Sequence, residues 1–132
     1  MNKNNMNISK FESFLNTLLD NKVSNNTFFT KMIEKETIND EWKDMVLVEL
    51  PNGVYDNDAY GKGTALISLY ARPLGTGRKN VAVMSQLEQR LNDAIASNKD
   101  VNYSVNRRQT YTYYDENIDW HCNVVELNIL IV

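Results

Sequence analysis

Apolar residues recur at helical spacing at Ile8, Phe11, Phe14, Leu15, Leu18 and Leu19, which predicts a first helix with one buried face. Ser9-Lys10-Phe11-Glu12 has the form of a capping box, and Asn21 is the expected stop. Residues 27–33, TFFTKMI, fit either a strand or a short helical piece, with strand preferred. In MVLVEL, Val46, Val48 and Leu50 share one face of a predicted strand. Residues 51–63, dense in Pro, Gly, Asn and Asp, read as a long loop, either suited to binding or to a lid or a flexible insertion. Residues 65–71 are apolar on both faces, as expected of a central strand covered on both sides. A second helix follows over 81–97, with Met84, Leu87, Leu91, Ala94 and Ile95 on one stripe and Asn80 as the N-cap. Two long strands close the pattern, over 103–114 and 118–132, joined by Asp115-Glu116-Asn117.

The last strand changes phase. Trp120, Cys122 and Val124 share one parity, whereas Leu127, Ile129 and Ile131 share the other. A β-bulge near Val124-Val125 would keep both sets on one face. The preceding strand aligns Tyr103, Val105, Tyr111 and Tyr113, interrupted by Arg107 and Gln109. Residues 109–121 are polar and aromatic, and that outer part of the hairpin is expected to project beyond the core. Together the elements predict an α+β fold: a mixed, mainly antiparallel sheet of about four to five strands covered by two helices. The β-α-β-β unit from Thr64 to Val132 is its most legible part. The whole of 1–132 reads as one domain, with residues 1–7 as a polar, asparagine-rich arm.

Composition narrows the function classes. Hydrophobic residues at 42% and charged ones at 23% describe an ordinary globular domain rather than a disordered chain. A net charge of −3 argues against a general nucleic-acid binder, which carries a basic excess. The apolar run near the C-terminus is broken by Glu126 and Asn128 and is too short to span a bilayer. MNKNNMNISK lacks the apolar core of a signal peptide. One cysteine, Cys122, excludes an intrachain disulfide and fits assembly in a reducing compartment.

Candidate chemistry is sparse. His121 and Cys122 are neighbours, so on a strand they point to opposite faces and cannot form a thiolate–imidazole pair. A single His and a single Cys cannot build a structural zinc site, and Asp56-Asn57-Asp58 lacks the rest of a calcium loop. Gly75-Thr76-Gly77-Arg78-Lys79 stands between a strand and a helix, where amides can cradle phosphate, but lacks the phosphate-loop pattern and reads as a flexible turn. No catalytic residue, metal or cofactor is expected. Arg72, Arg78, Lys79, Arg107 and Arg108 could form a small basic patch of solvated or interfacial arginine and lysine. Tyr111, Tyr113, Tyr114 and Trp120 are aromatics of the kind that anchor interfaces, although cross-strand pairing explains them equally well.

The order helix, strands, long loop, strand, helix and closing hairpin resembles the tail-terminator and tail-completion proteins of tailed bacteriophages. GTALISLYARPLGTGRKNVAVMSQLEQRLNDAI and the terminal VVELNILIV carry the resemblance, with Leu87-Glu88-Gln89-Arg90-Leu91 as its helix pattern. It implies a non-enzymatic ring subunit at the head-to-tail junction of a virion, assembled in the host cytoplasm. Its implied partners are further copies of itself and portal, adaptor or tail-tube proteins. DNA would pass through the lumen without specific binding, and no membrane is involved. On that expectation Tyr111, Tyr113, Tyr114 and Trp120 anchor subunit contacts, and Arg72, Arg78 and Lys79 meet an adjacent ring. A small binding or adaptor module acting as monomer or dimer is the alternative, and an enzyme using 51–63 as a lid is a third.

Overall fold

The computed structural model describes residues 8–29, 32–50, 54–56 and 61–131. Two helices, α1 (Ile8–Leu19) and α2 (Val81–Ala96), accompany six strands. These are β1 (Thr27–Phe28), β2 (Asp44–Glu49), β3 (Val54–Asp56), β4 (Gly61–Ala71), β5 (Tyr103–Asp115) and β6 (Trp120–Ile131). The sheet runs β1-β2-β4-β6-β5, with β3 also on β4. Among the described residues only β1 and β2 pair in parallel, so the fold is α+β with a mixed, mainly antiparallel sheet.

Both helices cover one face. Phe11, Phe14, Leu15, Leu18 and Leu19 of α1 pack with Met84, Leu87, Leu91 and Ala94 of α2. Beneath them lie Val46 and Val48 of β2, Ala65, Ile67, Leu69 and Ala71 of β4, and Val125, Leu127, Ile129 and Ile131 of β6. Each fully buried aliphatic or aromatic side chain here contributes about 1.5–3 kcal/mol. Asn80 caps α2 as expected, accepting from the Val83 N–H. Helix α1 begins at Ile8, so Ser9 stands inside the helix rather than at an N-cap. Asn21 has a left-handed φ of 56°, which fits a stop just after α1.

The opposite face holds a second, smaller core. Met45, Leu47, Tyr70, Trp120, Cys122 and Val124 are covered there by Ile33, Ile38 and Trp42 from the 32–44 segment and by Ile118. That segment is not a continued strand. After the two residues of β1 it contains one 3-10 turn, Lys35–Thr37.

The second core corrects the expected bulge in the last strand. β6 pairs with β4 without a shift, from Gly61↔Ile131 to Ala71↔His121. Its two apolar parities therefore serve two buried faces. The irregularity lies instead in β5, between Arg107 and Thr110, where the pairing with β6 skips one residue. Tyr103 and Val105 consequently face the helices, while Tyr111 and Tyr113 face the other way, opposite Val124 and Cys122. The hairpin also does not project. Tyr114 and His121 pair level with Ala71 of β4, and only the Asp115–Trp120 pair and the turn at 116–119 extend further.

The predicted long loop shrinks. β3 lies in line with β2 along the same edge of β4, and residues 61–64 belong to β4. Asp58 lies outside the described residues.

Candidate interaction surface

The outer edge of β5 is the most conspicuous open surface of the fold. β5 ends the strand order, so among the described residues nothing pairs its outer side along 13 residues. Edge strands of that length are templates for pairing with another chain unless shielded. Its side chains are exposed over 106–114, and Tyr111, Tyr113 and Tyr114 remain 47%, 43% and 44% exposed. Arg108 and Gln109 sit at the bulge, where Gln109 Nε2 donates to Glu126 Oε2 across the pair at 2.8 Å.

The seven nominated contact residues separate into two groups. Trp120 is 3% exposed and belongs to the second core, so it is not presented to a partner. Arg72 lies over its ring, with the guanidinium carbon 4.7 Å from the centroid. The same guanidinium donates to the carbonyls of Trp42 and Asn39, at 2.7 and 2.9 Å. Arg72 therefore ties the 32–44 segment down. Lys79 is similarly occupied, donating to Thr112 Oγ1 of β5 at 3.0 Å and to Asn123 Oδ1 of β6 at 2.8 Å. Arg78, Tyr111, Tyr113 and Tyr114 are exposed. Sequence pattern could not distinguish the groups, because an arginine that stacks internally and one that is solvated look alike in a loop.

A scan against models of known protein families finds no match for this chain, and a search of curated proteins finds none either.

The chemistry around β5 and β6 is that of a tyrosine–carboxylate hydrogen-bond network. Tyr70 Oη donates to Asp115 Oδ2 at 3.0 Å and lies 3.5 Å from Tyr113 Oη. Burial pushes the Tyr113 hydroxyl up to about 12 and raises Tyr70 further. Burial likewise pushes the Cys122 thiol up to about 12, so the nucleophilic thiolate is disfavoured. His121 takes the other face, with its ring edge-on to Tyr114 at 5.0 Å between centroids. Its Nδ1 is buried without a hydrogen-bond partner among the described residues. Among those residues no three His, Cys, Asp or Glu side chains converge as a metal site, and no helix is long and apolar enough to cross a membrane.

A cleft of about 670 Å³ opens at the far end of the sheet, between α1, the 97–102 loop and the start of β5. Lys10, Lys22, Lys99 and Asp100 line it, and Phe14 stacks on Tyr103 in its wall at 4.0 Å. None of the seven nominated contact residues lies there; its lining mixes polar positions of α1 and of the 97–102 loop with Phe14, Leu18, Tyr103 and Ile131, which the sequence marks only as core positions.

Proposed function

We propose that this chain is a structural, non-enzymatic ring subunit at the head-to-tail junction of a tailed bacteriophage, of the tail-terminator or neck-connector type. It joins portal or adaptor to tail and leaves a lumen for DNA. The observation that carries this reading is the open edge of β5: a long strand bearing three exposed tyrosines beside a sheet otherwise covered by helices and by the 32–44 segment. Such an edge suits a protein whose work is to be joined to other chains. The sequence resemblance supplies the kind of assembly. A net charge of −3 suits a channel along which DNA slides instead of sticking.

The internal engagement of Arg72 and Lys79 favours one second reading, a small adaptor module acting as monomer or dimer through that single edge. Co-expression with portal, adaptor and tail-tube proteins, followed by electron microscopy of purified particles, separates the two. A closed ring of this chain at the neck or tail end is expected. Its absence from every assembled particle would overturn the phage reading and leave the adaptor.

A further inference from the structure

We propose that the β5 edge takes a second copy of itself, in antiparallel register across a two-fold axis through Thr112. The proposal rests on reading β5 as the assembly edge but needs no bacteriophage context. Its basis is the self-complementarity of the segment. β5 runs regularly from Thr110 to Asp115 after the bulge, with the sequence TYTYYD. Reversed on itself about Thr112, it sets Tyr111 against the second copy's Tyr113, and Tyr113 against its Tyr111. Thr112 then meets Thr112, and Thr110 meets Tyr114. Aromatic–aromatic cross-strand pairs are among the favourable ones.

The flanks agree. Arg108, in the bulge, and Glu116, in the turn, flank the regular segment, so each end of the pair brings an arginine near the second copy's glutamate. Both Arg108 and Glu116 are exposed, and neither has an ion-pair partner among the described residues. Tyr111 and Tyr113 are oriented alike, on the face away from the helices, so the four rings of a pair of copies would form one row. The contact is isologous and saturates at two copies. It defines the free chain as a dimer, and any ring then needs a further contact.

Cross-linking tests the axis directly. Residues opposite one another in an antiparallel pair have Cα atoms about 4.5–5.5 Å apart, within disulfide range. Thr112→Cys should therefore form an intermolecular disulfide under mild oxidation. Thr110→Cys should not, because its two copies would lie about four residues, or ~13 Å, apart along the strands. Native Cys122 is buried and serves as the silent control. Sedimentation equilibrium supplies the second arm. Arg108→Glu should weaken the dimer about tenfold or more by placing like charges at both ends, and Arg108→Glu with Glu116→Arg should restore it. A monomeric free chain at micromolar concentration, equal cross-linking by both cysteine variants, or no rescue by the charge swap would each overturn the two-fold pairing. None of these results bears on whether a ring appears with portal and tail proteins.

Discussion

Arg72 and Trp120 form one stacked unit, the guanidinium carbon 4.7 Å from the indole centroid, at the end of β4 where the 32–44 segment crosses the sheet. The arginine satisfies the carbonyls of Asn39 and Trp42 while its backbone N–H donates to Lys43 at 3.0 Å. A planar, forked cation can do all of this at once, whereas a lysine offers a point charge and loses the stacking.

Arg72→Ala is accordingly expected to destabilise the protein by about 2–3 kcal/mol, combining lost charge-assisted hydrogen bonds with lost cation–π contact. Arg72→Lys should recover less than half of that. Arg78→Ala, which removes an exposed side chain in the same loop, should stay within about 0.5 kcal/mol. Urea denaturation of the three variants makes the comparison, and equal effects at the two arginines would place Arg72 at the surface.

Asn123 makes a second internal tie. Only 8% exposed, it accepts from Lys79 Nζ at 2.8 Å and donates to Glu88 Oε1 of α2 at 3.1 Å, joining the loop before the helix to the helix itself through β6. Asn123→Ala leaves both partners without it and is expected to cost about 1–3 kcal/mol. Lys79→Met and Asn123→Ala should be less than additive, since each removes the same bond. A double-mutant cycle by thermal unfolding measures the coupling, and strict additivity would dismiss the tie.

The phase change at Val124-Val125 shows where sequence legibility ends. Helix positions, the Asn80 cap and the order of the long strands follow from local periodicity, because one apolar stripe per helix needs no knowledge of its partner. The two parities of β6 suggested a bulge only on the assumption that one face of the sheet is buried. Both faces are buried. The second cover comes from Ile33, Ile38 and Trp42, irregularly spaced residues without a helical or strand period. The true bulge in β5 falls among Arg107, Arg108 and Gln109, where no apolar residue marks the phase, so the separation of Tyr103 from Tyr111 and Tyr113 was hidden. Trp120 failed as an exposed anchor for the same reason. Its cover is a segment distant in sequence.

Cys122 is expected to resist modification in the folded chain. Burial raises its thiol from 9.0 to about 12, and the nearby Asp115 carboxylate adds to this, while hydrogen bonds from Tyr113, Ser68 and Tyr70 pull it partly back. The folded state thus holds the proton more tightly than the unfolded chain. Between pH 9 and about 12 the native form binds more protons, so stability falls as pH rises through that window and is fully present below it. Tyr113, also raised to about 12, acts in the same direction above pH 10. Labelling by a thiol-reactive disulfide at pH 8 should run at least about a hundredfold slower than for a free thiol and accelerate only with unfolding. Labelling at the free-thiol rate in the native protein would contradict the buried assignment.

Gly63 and Phe11 set the closest approach between α1 and the sheet. A Cβ built on Gly63 would stand 2.6 Å from Cζ of Phe11 and 3.1 Å from both Cε atoms. The ring has no easy retreat, because Phe11 is fully buried and meets Tyr103 edge-on with centroids 6.3 Å apart. Any side chain at position 63 therefore has to push α1 away from β4 or drive the ring off its rotamer. Overpacking of this kind costs about 1–3 kcal/mol. Gly63→Ala should show that loss by urea denaturation, and Phe11→Leu alone should cost about 1–2 kcal/mol for the volume it removes. Combined, the two should cost less than their sum by about 1 kcal/mol, because leucine vacates the space that the new methyl group needs. Additive losses would mean that the helix yields as a body, and that Phe11 does not fix its height above the sheet.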